Sequence, residues 1–303
     1  MNSPLVSIGV PSYNRKQTLE RTIDCLINQT YTNLEIIISD NCSSNYNVDE
    51  IFTKYAFDNR IKFYKQDFNQ GAIFNFNFVL EKATGDFFMR LADDDWIDAN
   101  YIESCVTFLI RNPEYASAYG KAKIYSLQGK YVSDDATIEL EQHRQAERVM
   151  HYYKNVSYNS IYYGIINKSL LKYSRVEKKI ADDWLTVARI ACAGKIKLIE
   201  DTNSYISEGG ISQSLESISA NLNFSTFTRN FPFLKVGLNI VEDIVINSPV
   251  YRQMNLRQRL VLGYRCFRII NQRFGIKKEV TTRLKRSIRH LLHFPWKKVP
   301  GTA

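Results

Sequence analysis

Cysteine, glycine, proline and long apolar runs are all scarce in this sequence of 303 residues. The five cysteines are odd in number, scattered and free of any C-x-x-C pair, which argues against a disulfide framework and a structural zinc site. Thirteen glycines and seven prolines exclude collagen-like and low-complexity chains. No apolar run approaches the ~20 residues of a membrane span, and the first residues lack the basic and apolar regions of a signal peptide. We therefore expect a cytoplasmic protein, soluble or peripheral on the inner face of the cell membrane.

Several nucleotide-binding and hydrolytic motifs are absent as well. The sequence holds no P-loop, no G-x-G-x-x-G, no G-x-S-x-G and no H-E-x-x-H, and its four histidines are dispersed. What the chain does have is an ordinary globular composition, with 45% hydrophobic and 23% charged residues. It is long enough to bury a sizeable core.

The first hundred residues alternate between short apolar runs and amphipathic segments. Strands are predicted at 5–10 (closed by Pro11), 34–39, 61–64 and 86–91, and helices at 16–29, 49–55 and 74–83. This order is typical of an α/β fold with a doubly wound, mostly parallel sheet. Polar clusters follow three of the strands, at 12–14, 40–41 and 93–95. Because the carboxyl ends of neighbouring parallel strands share one edge, we expect these clusters to converge on one crevice.

The remainder of the chain gives a coarser pattern. Helices are predicted at 101–112 and 183–193, a strand at 161–166, a Ser/Gly-rich loop at 202–217, and helices after about residue 220.

Two acidic clusters are the candidates for chemistry. Asp93-Asp94-Asp95 repel one another unless a cation compensates, and carboxylate oxygens suit Mg²⁺ or Mn²⁺ bridged to a phosphate. Asp182-Asp183 opens a predicted helix and would supply a general base. The alternative for both clusters is helix capping, since acids at a helix start offset the helix dipole. The triplet follows an apolar strand and is expected to lie opposite two other polar strand ends. This position favours a metal site over helix capping for the triplet.

Five motifs in order over residues 4–212 resemble family 2 glycosyltransferases. They are VSIGVPSYNR at 6–15, QTYTNLEIIISDNCS at 29–43, NQG at 69–71 with Asn77 and ATGD at 83–86, DDD at 93–95, and DDWL at 182–185 followed by AGK at 193–195. The resemblance implies a GT-A fold and a metal-dependent inverting transferase that moves a sugar from a nucleotide-sugar, a UDP-sugar, to a saccharide acceptor. It further implies a lipid-linked acceptor and bacterial surface polysaccharide synthesis.

The resemblance also assigns roles to individual residues. Pro11, Tyr13 and Asp40 would line the nucleobase pocket, where Asp40 accepts from an imide N–H and Tyr13 stacks on the base. The other donor-binding residues would be Asn14, Asn69, Asp93 and Asp94. The Mn²⁺ or Mg²⁺ ion would be held by Asp93 and Asp95, and Asp183 would be the catalytic base.

The sequence departs from the family pattern at four positions. Asn41 replaces a second strand-end Asp, and Phe76 replaces an Arg that commonly precedes the asparagine at 77. Glu208 stands where members often carry a His. The D-x-D register is open, because a strict alignment places Ala92 at the first Asp and Asp94 at the metal position.

Three regions follow from the resemblance: a nucleotide-sugar-binding half at 1–100, an acceptor-binding half at 101–220, and a helical basic extension at 221–303. A non-catalytic GT-A-like scaffold that binds membrane or a partner is the alternative function, and loss of the base or of the metal ligands would mark it. A nucleotidyltransferase would normally carry a Gly-rich basic loop near the amino terminus, which is absent.

Basic charge is concentrated at the carboxyl-terminal end. Residues 250–303 contain fourteen Lys and Arg against one acid, net +13, whereas the first 249 residues contain 26 basic and 30 acidic residues, net −4. Two apolar stripes at helical spacing cross this segment: Leu256, Leu260, Tyr264, Phe267, Ile270 and Phe274, then Leu284, Ile288, Leu291 and Leu292. Such stripes are typical of in-plane membrane helices, although packing on the protein body explains the first about equally well. We expect residues 250–303 to bind an anionic membrane surface, and expect no nucleic-acid partner, which would leave the acidic clusters unexplained.

Overall fold

The computed structural model describes residues 3–126, 128–208 and 224–282. The strands are β1 (Val6–Ser12), β2 (Leu34–Asp40), β3 (Ile61–Lys65), β4 (Phe87–Arg90), β5 (Trp96–Ile97), β6 (Tyr115–Ser126), β7 (Tyr131–Asp134), β8 (Ile165–Asn167) and β9 (Lys195–Glu208). The helices are α1 (Lys16–Ile27), α2 (Val48–Lys54), α3 (Ala72–Lys82), α4 (Tyr101–Arg111), α5 (Gln145–Asn155), α6 (Asp182–Ala193), α7 (Thr226–Asn230), α8 (Pro232–Glu242) and α9 (Leu256–Phe274).

One sheet runs through the described part of the chain, in the order β3-β2-β1-β4-β8-β6-β9-β5, with β7 paired to β6. The first four strands are parallel, which confirms the α/β class and the doubly wound first half. Beyond β4 the sheet is mixed, because β8 runs antiparallel to both β4 and β6 while β6 and β9 are parallel. All polar strand ends of the first half therefore lie at one edge.

Strand β1 continues through Pro11, where the sequence predicts its end. The Gly9 carbonyl accepts from the Leu91 N–H, just after β4, and the Ser12 carbonyl accepts from the Asn41 N–H, just after β2. The backbone N–H and C=O groups of odd-numbered residues in β1 therefore point toward β4. The pairing with β4 stops at Gly9 and Arg90. The backbone nitrogen of Pro11 points to the same side, beyond the end of that ladder. A residue without an N–H costs no ladder hydrogen bond at such a position.

Two apolar clusters cover the two faces of the sheet. One joins α1 and α4 to β1, β2 and alternate residues of β4, such as Phe87 and Met89. The other joins Phe88 and Tyr119 to α5, α6, α8 and α9. Successive strand residues point to opposite faces, which is why neighbours in β4 belong to different clusters.

Two sequence predictions in the second half are wrong in part. Residues 202–208 belong to β9 rather than to a loop, because Asn203–Glu208 pairs with Lys121–Ser126 of β6, and that ladder outweighs the Ser-rich composition. The strand predicted at 161–166 is confirmed only at 165–166, which open β8, because Ser160–Tyr163 forms a 3-10 turn. The rest of the predicted loop from 209, and the second apolar stripe at 284–292, lie outside the described residues.

The carboxyl-terminal helices pack against α5 and α6. Arg273 at the end of α9 donates to the carbonyls of Tyr153 (2.7 Å) and Val156 (2.6 Å), which close α5. Arg189 of α6 forms a buried ion pair with Asp243, which follows α8 (2.6 Å). Burial and these partners anchor the helices to the element that carries Asp183.

Breaking the buried Arg189–Asp243 pair is expected to destabilise the protein by about 3 to 5 kcal/mol, because Asp243 would keep a charge without a partner. Arg189→Ala tests this by chemical denaturation. The matched control is Arg175→Ala, which removes an exposed pair with Glu81 and should cost less than about 1 kcal/mol. Equal small losses in both variants would contradict an anchoring role for Arg189.

Candidate functional site

The three polar strand-end clusters converge, as the sequence predicts. The Asn41 N–H donates to the Ser12 carbonyl (2.9 Å), which joins the ends of β1 and β2. The Asn14 N–H donates to Ser43 Oγ (2.7 Å), and the Tyr13 N–H points at Asp93 Oδ2 (3.4 Å). The loops after β1, β2 and β4 therefore form one crevice.

The residues expected at the nucleobase lie around the loop after β2. Asp40 is fully buried, and its two carboxylate oxygens accept from the Ser43 N–H (2.9 Å) and from Ser43 Oγ (2.5 Å). Pro11 is buried in β1, whereas Tyr13 leaves 40% of its surface exposed. An exposed ring is available for stacking, and the contact of Asp40 with a base stays a prediction.

Asn14 and Asn69 organise the walls of this crevice. Asn14 has a left-handed backbone (φ 58°), a conformation that asparagine tolerates, and its Oδ1 accepts from the Ser44 N–H (2.8 Å). Asn69 Oδ1 accepts from Asn41 Nδ2 (2.8 Å) and from the Gly71 N–H (2.8 Å). Asn41, the departure from the family's second Asp, thus acts as a link between the loops after β2 and β3.

The three aspartates after β4 are all buried, with exposed fractions of 2% to 8%. Arg15 pairs with Asp94 and more loosely with Asp93 (3.4 Å). The Ser207 N–H at the end of β9 donates to Asp95 Oδ1 (2.7 Å). The backbone of the triplet is bound by Arg21 and Thr22 of α1, and the Arg21 guanidinium stacks 3.8 Å from the Trp96 ring.

Burial raises the pKa of Asp93 to about 6, against the opposing charge of Arg15. Burial also raises the pKa of Asp95 to about 7, with a further contribution from the Asp94 charge, while a hydrogen bond with Tyr163 opposes the shift. Ionisation of both carboxyl groups is therefore costly, and a nearby cation would lower that cost.

The triplet fits a divalent cation in the manner of Mg²⁺ or Mn²⁺, which are held by one or two carboxylates plus the phosphates of a substrate. No group of three or more metal-ligating side chains is assembled within residues 3–126, 128–208 and 224–282. Metal binding at the triplet therefore stays a prediction.

The acidic pair at the start of α6 divides into a buried and a partly exposed member. Asp182 is buried, its Oδ2 accepts from the Glu177 N–H (3.0 Å), and its Oδ1 has no partner among the described residues. Burial raises the pKa of Asp182 to about 7. Asp183 keeps partial access to solvent, and Asn159 Nδ2 donates to its Oδ2 (2.8 Å). Burial raises the pKa of Asp183, and this hydrogen bond opposes the shift.

One short turn connects the triplet to Asp183. The 3-10 turn Ser160–Tyr163 begins after Asn159, which contacts Asp183, and ends with Tyr163, whose side chain contacts Asp95. Arg90, the last residue of β4, adds a positive charge that lowers the pKa of Asp183. The turn and the residue before it therefore contact Asp183 at one end and Asp95 at the other, and these two aspartates are 88 positions apart in the sequence (183 − 95).

Several site residues were missed from the sequence. Arg15 lies inside a recognised motif, but its pairing with the triplet is a tertiary contact. Asn159 and Arg90 carried no signal beyond being polar in apolar surroundings. Glu208, which stands where family members often carry a His, is exposed and its Oε1 accepts from the Tyr158 hydroxyl (3.2 Å), while residues 209–212 lie outside the described residues.

The order and the mixed directions of the strands are those of a GT-A-like α/β fold, and comparison with known proteins agrees. The sequence model of glycosyl transferase family 2 matches residues 7–174, more than half of the chain. The chain belongs to glycosyl transferase family 2. The expected GT-A fold class is confirmed.

Two curated relatives and one solved structure illustrate the similarity. The chain is 30% identical over 162 residues to the putative colanic acid biosynthesis glycosyl transferase WcaA of Escherichia coli, covering 53% of this chain and 57% of that protein. It is 28% identical over 192 residues to the GalNAc(5)-diNAcBac-PP-undecaprenol beta-1,3-glucosyltransferase of Campylobacter jejuni, covering 61% and 58%. The chain thus spans little more than half the length of these relatives. It superposes on Staphylococcus aureus TarS 1–349 in complex with UDP-GlcNAc with a TM-score of 0.56 at 16% identity, over 98% of this chain and 95% of that one.

Proposed function

We propose that this protein is a metal-dependent inverting glycosyltransferase that moves a sugar from a UDP-sugar to a lipid-linked saccharide. The observation that supports the proposal most is the turn at Ser160–Tyr163: Asn159, just before it, donates to Asp183, and Tyr163, at its end, contacts Asp95 of the triplet. Inverting transfer is a single in-line displacement, and it needs a base on one side of the anomeric carbon and charge neutralisation of the departing diphosphate on the other. The relatives' names support the substrate classes.

The donor would lie across the carboxyl ends of β1, β2 and β4. The exposed Tyr13 ring would stack on the base, and the ribose and diphosphate would reach Asp93 and Asp94. Arg15 is the cation within this crevice that bonds two of the aspartates. A divalent ion held by Asp93 and Asp95 would neutralise charge on the leaving diphosphate.

The acceptor would approach from the side of α6. Asp183 would take the proton of the attacking hydroxyl, because it is the more exposed of the two acids and its pKa lies above the ordinary value. Asp182 is buried and bonded to the backbone, which leaves it a structural role at the helix start.

A direct assay tests the function. Purified protein is screened by thermal shift against UDP, GDP, dTDP and CMP sugars with and without Mn²⁺, and donors that stabilise it are tested for transfer to undecaprenyl-diphosphate saccharides. We expect stabilisation by a UDP-sugar in the presence of the metal and release of UDP on transfer. The proposal is wrong if no nucleotide-sugar stabilises the protein.

A membrane surface is the second part of the proposal, since a lipid-linked acceptor lies at one. The first apolar stripe divides on α9: Phe267, Ile270 and Phe274 pack on the second core cluster, whereas Leu256, Leu260 and Tyr264 are each more than half exposed. Exposed arginines flank the exposed residues, at 257, 265 and 268. No helix within the described ranges is long and apolar enough to cross a bilayer. An apolar face rimmed by cations is typical of in-plane binding to anionic lipid.

Replacing Leu256 and Leu260 together by glutamine is expected to lower binding to anionic vesicles by about tenfold, because both side chains would lose their burial in the lipid interface. Co-sedimentation at low salt measures it. The matched control is Ile110→Gln, an equally exposed position on α4 that should leave binding unchanged. A protein truncated before Thr281 separates the contribution of α9 from that of the remaining basic segment. Binding that ignores lipid charge and salt would contradict the membrane proposal.

A further inference from the structure

We propose that Asn159 positions the Asp183 base, through a hydrogen-bond chain that starts at Tyr152 and is held in place by Asp135. The inference rests on the proposed function, since it assigns a role to a residue that acts through the base of that reaction. Nothing in the sequence motifs points to this asparagine, and it lies outside the donor crevice.

The side chain of Asn159 bonds on both sides. Its Nδ2 donates to Asp183 Oδ2 (2.8 Å), and its Oδ1 accepts from the Tyr152 hydroxyl (2.7 Å). Both Asn159 and Tyr152 are buried. A phenol donates readily to an amide oxygen and a carboxylate accepts only from the amide nitrogen, so this network permits a single orientation of the amide.

The backbone of Asn159 is fixed just as firmly. The residue is in the left-handed conformation (φ 63°, ψ 40°), which costs most side chains about 1 to 2 kcal/mol and asparagine less. The buried Asp135 carboxylate accepts from the amides on both flanks, Tyr158 (3.0 Å) and Ser160 (2.9 Å). Backbone and side chain therefore both select asparagine, and the amide cannot move away from Asp183 without breaking the turn.

Other groups around Asp183 come from each element packed against it. The charged ones are Arg90 of β4, which favours the carboxylate, and Asp182 of the same helix, which disfavours it. Tyr152 and Tyr153 of α5 are buried phenols and Tyr162 of the turn is a half-buried one. The pKa values of all three are raised, so they stay neutral below pH 10. Asn159 is the one side-chain hydrogen-bond donor to Asp183 within the described residues.

Removing this donor has a defined consequence for pH dependence. The hydrogen bond favours the ionised carboxylate, so its loss raises the pKa of Asp183 further. A base must be ionised to act, and the acid limb of the pH–rate profile therefore moves to higher pH. A purely structural asparagine would instead lower the rate by the same factor at every pH.

Asn159→Gly is the main variant, because glycine adopts the left-handed backbone freely and removes only the amide. We expect the acid limb of kcat to rise by about one pH unit, which is a tenfold change in proton affinity, with the KM for the donor unchanged. Asn159→Asp, which places a second carboxylate against Asp183, should move the acid limb of kcat to a still higher pH. Tyr152→Phe leaves the Asn159 amide in place but removes the hydroxyl that orients it. This variant should lower kcat several-fold and should move the acid limb by less than Asn159→Gly does.

The matched control is Asn203→Asp, which removes the same kind of bond from Asn203 Nδ2 to the Asp98 carboxylate (2.7 Å), a pair outside the proposed machinery. Its acid limb should match wild type. An acid limb in Asn159→Gly that coincides with wild type, or a shift of equal size in Asn203→Asp, overturns the inference.

A second readout separates this inference from the proposed function. The Asp183 carboxyl carbon, assigned by its disappearance in Asp183→Asn, is titrated by ¹³C NMR in wild type and in Asn159→Gly. A midpoint about one unit higher in the variant supports the positioning role even if no transfer is found, and an unchanged midpoint rejects it. Absence of transfer in wild type rejects the proposed function alone.

Discussion

Asp183→Asn is expected to lower the rate of sugar transfer by about 10³-fold while the affinity for the nucleotide-sugar stays unchanged. Asparagine has the shape of aspartate but cannot accept the proton of the attacking hydroxyl. Asp183 lies at the start of α6, and within the described residues its side chain bonds to Asn159 and to none of the residues proposed to bind the donor, so the donor should keep its contacts. Turnover measured beside donor affinity from calorimetry separates the two effects.

Asp182→Asn is the matched control, since it makes the same change one residue away. Burial raises the pKa of Asp182 to about 7, so a neutral side chain resembles its protonated form, and the Glu177 N–H keeps an oxygen partner. This variant should retain turnover within about tenfold of wild type. Near-wild-type turnover in Asp183→Asn, or equal losses in the two variants, would remove Asp183 from the role of base.

Removing divalent cations is expected to weaken UDP binding by at least about tenfold, or ~1.4 kcal/mol, and to stop transfer. Without the ion, the diphosphate would face Asp93, Asp94 and Asp95 with Arg15 as the charge that opposes them. Titration calorimetry with UDP in Mn²⁺, in Mg²⁺ and in excess EDTA measures the effect.

Uridine is the control ligand, because it has the base and ribose but no diphosphate, and its affinity should not depend on the cation. Asp95→Asn and Asp94→Asn then decide the register of the D-x-D motif: the true ligand is the one whose loss abolishes the cation effect. Equal affinity for UDP in Mn²⁺ and in EDTA would leave the triplet with a capping role and reject metal dependence.

Much of the first half of the fold could be predicted from sequence. The strands predicted at 34–39 and 61–64 are observed as β2 and β3, and the helix predicted at 16–29 is observed as Lys16–Ile27. Local pattern suffices here because β1, β2 and β4 are buried along their whole length and each helix shows its own amphipathic period. The convergence of Ser12, Asp40 and Asp93 followed from the same rule, since parallel strands end at one edge.

The second half could not be predicted so well, because its structure depends on distant partners. Residues 202–208 look like a loop by composition, yet Asn203–Glu208 pairs as a parallel strand with Lys121–Ser126 of β6. The apolar stripe on α9 looks uniform in sequence, yet only Phe267, Ile270 and Phe274 find the core, since α5 and α8 cover one side of the helix alone. Hydrophobic period tells which residues share a face and not which part of that face is covered.

The sequence by itself determined the family, the order of the first strands and helices, and the two acidic clusters. Those properties are encoded by neighbouring residues, whose spacing sets secondary structure and whose charges lie side by side. Only the tertiary structure decided which member of the Asp182-Asp183 pair reaches solvent, that Arg15 pairs with two aspartates of the triplet, and that Asn159 joins Tyr152 to Asp183. Burial and hydrogen bonding between residues far apart in the chain depend on packing, and it is packing that sets the pKa and the orientation of each carboxylate.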